Sequence, residues 1–113
     1  MELYEELRKL TEDLEISIKH LRKTGTAYAQ AERDYKILLR QECLKLRDEG
    51  MAIGLITLTC YGIPEVAEAR FKRDVAESVF AANKEAVASI KLQMRIVENQ
   101  IQREYANTGV GNL

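Results

Sequence analysis

Apolar residues recur along the first half of the chain at alternating intervals of four and three residues. This spacing is a heptad repeat, which places an apolar stripe on one face of an α-helix. The stripe then drifts at Leu39, Cys43 and Leu46, as a stutter in the repeat would cause. The pattern predicts a long supercoiled helix over residues 1–49. Its positions are Leu3, Leu7, Leu10, Leu14, Ser17, Leu21, Thr24, Tyr28, Ala31, Tyr35 and Leu38.

The weakest helix-forming part of this segment is Thr24-Gly25-Thr26. A break there would let residues 1–23 swing as an arm, because glycine and threonine have low helix propensity. The apolar stripe, however, keeps its phase across Gly25. We therefore expect a continuous or mildly bent helix.

Residues 50–63 form an almost uncharged connector with three glycines, and the only proline, Pro64, follows it. Gly50 is expected to end the first helix in a left-handed conformation. A β-strand would have no partner elsewhere in the chain, so we predict a short buried helix. Pro64 suits the first position of the next helix.

The third segment, residues 64–107, is predicted to be a second long helix. Its apolar positions step by 4, 3, 4, 4, 3, 4 and 4 residues, closer to an 11-residue repeat than to a heptad. Asn83 could fix register inside an interface or lie at the margin of the stripe. Residues 108–113 contain two glycines and are expected to be a disordered tail. The stripe consists of Val79, Asn83, Ala86, Ile90, Met94, Val97, Ile101 and Tyr105.

These elements predict one all-α domain over residues 1–107, a long antiparallel helical hairpin that assembles into a multi-helix bundle. Two helices leave half of a bundle core uncovered, and Ile16, Ile18, Ile37 and Leu44 lie off the main stripe. We therefore predict self-association into a dimer or a higher even-numbered assembly. The predicted oligomer or partner interface contains Leu7, Leu10, Leu14, Leu21, Met51, Ile53, Leu55, Ile56, Leu58, Tyr61, Asn83 and Ile90.

Charge argues against bulk nucleic-acid binding, because the net charge is -1 and the pI is about 5.9. The connector and the third segment do have the outline of a helix-turn-helix. Glu65 and Glu68 nevertheless occupy positions that would face the DNA. The alternative to a protein-contact role is a nucleic-acid-associated role through basic helix patches formed by Lys19, Arg22, Lys23, Arg70, Lys72 and Arg73.

Catalytic and ligand-binding signatures are absent from the sequence. Cys43 and Cys60 lack CxxC spacing, and His20 has no ligand partner nearby in sequence. We expect no enzymatic activity, no catalytic residue, no metal and no cofactor. The longest apolar run, Met51 to Tyr61, is too short to cross a bilayer, so we expect a cytoplasmic protein without a membrane partner. In that reducing compartment both cysteines are expected to be small buried side chains.

Three strings, KLRDEGM at 45–51, YGIPEVA at 61–67 and ANKEA at 82–86, carry a resemblance. They resemble small uncharacterised helical proteins encoded by bacteriophages and prophages of Gram-positive bacteria, over roughly residues 28–105. The resemblance implies a phage accessory protein in the host cytoplasm. Such a protein would act through contacts with phage or host proteins beside replication, recombination or host-takeover machinery.

Overall fold

The computed structural model describes the backbone of residues 2–111 and the side chains of residues 2–107. Over this range the chain forms three α-helices and no strand: α1 (Glu2–Asp48), α2 (Ile53–Tyr61) and α3 (Pro64–Gly111). The all-α class and a short helix in the connector are confirmed, and α1 continues unbroken through Gly25. The prediction that the connector helix is buried is wrong within this chain, because only Ile56 and Cys60 of α2 are covered. Helix α3 ends four residues beyond the predicted Asn107, so residues 108–111 of the predicted tail are helical. Residues 112 and 113 of the predicted tail lie outside the described residues.

A Schellman motif ends α1, and its left-handed residue is Gly50, as predicted. Gly50 has a φ angle of 90°, and its amide donates to the carbonyl of Arg47 at 3.0 Å. The amide of Met51 donates to the carbonyl of Leu46, also at 3.0 Å. These two bonds satisfy carbonyl groups that the end of a helix otherwise leaves unpaired.

The turn between α2 and α3 uses proline in the expected way. The amide of Ile63 donates to the carbonyl of Cys60 at 3.1 Å, while its own carbonyl accepts from Ala67 at 2.9 Å. Pro64 is therefore the first residue of α3, where its missing N–H costs no hydrogen bond. Glu65 in the first turn complements the helix dipole.

The chain divides into two compact units. The terminal unit comprises Met1–Arg22 and Ala82–Leu113, and the middle unit comprises Lys23–Ala81. In the terminal unit, the first part of α1 packs on the last part of α3, where Val87 and Val97 are buried. The predicted α1 stripe is confirmed there as the covered face, because its residues are half-buried: Leu3, Leu7, Leu10, Leu14, Ser17 and Leu21.

In the middle unit, α1 and α3 run antiparallel. Phe80 packs beside Tyr28, with ring centroids 6.1 Å apart, and the guanidinium carbon of Arg73 lies 4.7 Å from the ring centroid of Tyr35. The residue with the higher number on α1, Tyr35, therefore contacts the residue with the lower number on α3, Arg73, as expected for antiparallel helices. The fully buried side chains of this unit are Cys60 of α2 and Val66 of α3.

The buried face of α3 differs from the predicted one. Its covered positions alternate steps of three and four residues, which is a heptad, so the 11-residue repeat is wrong. Phe80 and Val87 take the places predicted for Val79 and Ala86, while Tyr105 is exposed. The covered residues are Val66, Ala69, Arg73, Ala76, Phe80, Asn83, Val87, Ile90, Met94, Val97 and Ile101.

Candidate interaction surface

Helix α2 has no charged side chain, and only one of its faces is covered. Ile56 and Cys60, four residues apart, are buried against the rest of the middle unit. At 100° per residue, Leu58 points roughly the opposite way. Leu55 lies near the same outward face. The helix is therefore apolar on both its inner and its outer side.

Three large aliphatic side chains of α2 remain open to solvent. Ile53 is 81% exposed, Leu58 is 74% exposed and Leu55 is 56% exposed. Single exposed apolar residues are common, but a cluster on one uncharged helix is typical of an interaction site. We call Ile53, Leu55 and Leu58 the α2 surface.

Other residues predicted for the same interface are placed differently. Met51 is half-buried and Ile56 is buried, so both stabilise the position of α2. Tyr61 is partly exposed at 39%, and the guanidinium carbon of Arg70 lies 5.0 Å from its ring centroid. The connector therefore divides into covered residues and the α2 surface.

A groove with a volume of about 440 Å³ adjoins α2 in the middle unit. Its apolar lining includes Leu39, Leu44 and Ile56, and Cys43 also lines it. Three cationic residues border it: Lys36, Arg40 and Arg47. Lys36 pairs with Glu32 at 3.5 Å. We call this the basic groove.

A second groove of the middle unit, about 540 Å³ in volume, has the opposite charge. Asp34, Glu65 and Glu68 supply three carboxylates, and Lys72 supplies one ammonium group. Small side chains such as Ala69 also line this groove. They would let the backbone of a bound partner approach closely. We call this the acidic groove.

The leucines predicted for an interface between chains pack against another helix segment of the same chain. Leu7, Leu10, Leu14 and Leu21 are half-buried in a unit that contains only the first part of α1 and the last part of α3. Asn83 and Ile90 are half-buried on the covered face of α3 in that unit. Their partial burial therefore comes from the packing of α1 on α3.

The basic residues proposed from the sequence do not all serve one patch. Arg73 is half-buried over Tyr35, and its Nε donates to Oδ1 of Asp74 at 2.9 Å, a bond that raises the pKa of Arg73. Arg70 and Lys72 lie 200° apart around α3. The cluster at residues 70–73 therefore presents no single basic face.

The basic residues of α1 are accessible. Lys19 and Arg22 are exposed in the terminal unit, and Lys23 is exposed in the middle unit. A phosphate backbone could reach each of these three side chains.

The structure brings together a pair of thiols whose proximity the spacing of the sequence did not indicate. Sγ of Cys43 and Sγ of Cys60 lie 3.0 Å apart, and neither is in a disulfide. Burial, together with the hydrogen bond to Cys43, raises the pKa of Cys60 to about 11. No pattern on α1 could show this proximity, because it depends on how α2 packs.

Among the described residues, no group of three or more His, Cys, Asp or Glu side chains is arranged to hold a metal ion. In the same part of the chain, no helix is both long and apolar enough to span a membrane.

No protein-family model matches this chain, and neither the curated proteins nor the solved structures contain a match to it. The α2 surface, the basic groove and the acidic groove are therefore the basis for a functional assignment.

Proposed function

We propose that this protein is a non-enzymatic helical hairpin that self-associates and acts as an adaptor or scaffold through protein–protein contacts. The observation that carries the proposal is the α2 surface. An uncharged helix exposes Leu55 and Leu58 on the side away from buried Ile56 and Cys60. Ile53 is exposed at the start of the helix, where it lines the basic groove. A partner that covers this surface removes apolar area from water.

The size of the effect favours a moderate affinity. Burying a large aliphatic side chain contributes about 1.5–3 kcal/mol, so six partly exposed ones in a dimer contribute on the order of 10 kcal/mol. Association costs about 4–15 kcal/mol in lost freedom. Leu44 and Ile37 of α1 are each 51% exposed and add to the apolar area available. We therefore expect assembly that depends on concentration in the micromolar range.

Charge supports a second copy of the chain as the occupant. The basic groove and the acidic groove belong to the same unit and carry opposite charge. Two copies can therefore present complementary surfaces to each other, which favours encounter and fixes orientation. A symmetric dimer that forms a four-helix bundle, or a higher even-numbered assembly, fits this chemistry.

The biological setting follows from the resemblance to phage-encoded helical proteins. We propose a phage accessory protein in the host cytoplasm that brings phage or host proteins together. In this role the α2 surface of a dissociated chain is the contact point for such a partner.

Sedimentation at several concentrations tests self-association. The unmodified chain should shift from monomer to dimer, and Leu58→Glu should weaken association on the order of 10-fold to 100-fold. Tyr105→Glu is the matched control, because Tyr105 is 78% exposed, close to the 74% of Leu58, but lies in the terminal unit. A monomer at every concentration, or equal loss in both variants, would contradict the proposal.

A nucleic-acid-associated role is the second candidate, and the exposure of Lys19, Arg22 and Lys23 favours it. Binding through these residues would weaken steeply with salt, because each phosphate contact releases counterions. Titration of single- and double-stranded DNA at low and physiological salt tests this role. Absence of binding at low salt would remove it.

A further inference from the structure

The packing of α2 on α1 brings together the only two cysteines of the chain. Cys43 and Cys60 are 17 residues apart in sequence, and their Sγ atoms lie 3.0 Å apart. Both are free thiols. A shift of about 1 Å would bring the two sulfur atoms to disulfide bonding distance. The proposed function makes no use of this pair.

The two thiols differ in access to solvent. Cys60 is fully buried, whereas Cys43 is half-buried and lines the basic groove. A small reagent that enters the groove therefore reaches Cys43 first. Lys36, Arg40 and Arg47 border the same groove, and their charge favours an anionic reagent.

We propose that Cys43 and Cys60 are a thiol–disulfide exchange site that reacts with a small anionic disulfide of the glutathione type. The product is an intramolecular disulfide that fastens α2 to α1. This inference rests on the thiol pair and on an open basic groove, so it applies to a chain whose basic groove is not covered by a second copy.

The reaction proceeds in two exchanges. The thiolate of Cys43 attacks one sulfur of oxidised glutathione, the S–S bond breaks, and one glutathione leaves as a thiolate that takes up a proton. Cys60 then gives up its proton and attacks Sγ of Cys43, which releases the second glutathione. The two protein thiols lose two electrons, and one glutathione disulfide becomes two glutathione thiols.

The environment of Cys60 fits the second step. Its raised pKa of about 11 keeps it a neutral thiol near neutral pH, so it does not start the exchange. Once Cys43 carries glutathione, the 3.0 Å separation places the two sulfur atoms in near contact. Proximity of this kind compensates for the small fraction of Cys60 that is thiolate near neutral pH.

The cross-link would change how α2 is held. Among the described contacts, the side chains of α2 reach other helices through Cys60 to Cys43 and through Tyr61 to Arg70, besides the buried Ile56. A disulfide replaces the first of these with a covalent bond. The positions of the α2 surface residues are then fixed relative to α1.

Equilibration of the full chain with reduced and oxidised glutathione tests the proposal, in native buffer and in urea. Alkylation followed by mass spectrometry should show a native product that has lost two hydrogens and carries no glutathione. Its formation constant should exceed that in urea on the order of 100-fold, because folding already closes the loop. A native chain that stays reduced while the unfolded chain oxidises would overturn the proposal, as would a disulfide between chains.

Two variants separate the roles of the thiols. Cys60→Ser should stop at a mixed disulfide on Cys43, whereas native Cys43→Ser should stay unmodified because Cys60 is fully buried. Glutathione on Cys60 in folded Cys43→Ser would contradict the assigned order. Circular dichroism checks that each variant is helical. If a variant fails to fold, the ratio of the disulfide formation constants of the unmodified chain in native buffer and in urea still tests the proposal.

Discussion

The ring of Phe80 lies directly against Gly25. A β-carbon at Gly25 would come within 3.0 Å of Cε1 of Phe80, and the same ring is stacked at a tilt of 32° on Tyr28. A glycine within a helix costs about 0.5–1 kcal/mol relative to alanine. Here the missing side chain leaves space for an aromatic ring between α1 and α3, which gives the glycine a packing role.

Gly25→Ala should therefore have different effects on stability in two backgrounds. With Phe80 present, the gain in helix propensity is offset by the close contact, and the free energy of unfolding should not rise. In a Phe80→Ala background, the same change should raise it by about 0.5–1 kcal/mol. Urea denaturation of the four chains measures the coupling energy. Equal effects in both backgrounds would show that the ring does not restrict Gly25.

The α1 pattern could be interpreted from the sequence because most of its apolar residues follow one heptad stripe, with only scattered ones such as Ile16 and Ile37 outside it. The α3 pattern could not, because apolar residues occur on two sides of the helix. Phe71, Val75 and Val79 are exposed on its outer side, while Phe80 is covered. With apolar residues at neighbouring positions, the sequence alone does not decide which phase faces α1. The prediction therefore shifted by one residue at two positions.

The candidate site was predictable only in outline. The uncharged connector indicated an interaction segment, and Ile53, Leu55 and Leu58 are indeed exposed. Burial of Ile56 and the contact of Cys43 with Cys60 depend on the side from which α2 packs. That orientation follows from the turn at residues 49–52 together with tertiary contacts, which a single-sequence pattern does not contain.

Two arginine–tyrosine contacts in the middle unit should differ in strength. Arg73 lies over buried Tyr35, whereas Arg70 lies over the more exposed ring of Tyr61. Arg73→Met should lower the free energy of unfolding by about 1–2 kcal/mol, and Arg70→Met by about 0.5 kcal/mol, because desolvation strengthens a cation–π contact. Methionine keeps an apolar stem in each case. Equal losses in urea denaturation would contradict the ranking.

Two glycines with open surroundings should respond to alanine in opposite directions. No atom lies within 4 Å of a β-carbon at Gly50 or at Gly54, so steric contact does not distinguish them. Gly50 has a φ angle of 90°, which strains an L-residue, whereas Gly54 lies in helix α2. Gly50→Ala should cost about 1 kcal/mol, and Gly54→Ala should stabilise by about 0.5 kcal/mol. Thermal denaturation of the pair measures both; stabilisation by Gly50→Ala would refute the left-handed cap.

The thiol of Cys60 should make stability fall in alkaline solution. Burial raises the pKa of Cys60 from 9.0 to about 11, so between these pH values the unfolded chain has released the proton and the folded chain still holds it. The unfolded state then binds fewer protons, and stability decreases as pH rises. At neutral pH both states are protonated and the group has no such effect.

Comparison with Cys60→Ala under reducing conditions isolates this effect, because all other titrating groups are retained. Urea denaturation should show the unmodified chain losing stability relative to the variant between about pH 9 and about pH 11. Cys43→Ala should reduce the loss without abolishing it, because the hydrogen bond to Cys43 is the second cause of the raised pKa after burial. Parallel pH curves for the unmodified chain and Cys60→Ala would mean that Cys60 titrates alike in the folded and unfolded states, and that α2 does not bury it in solution.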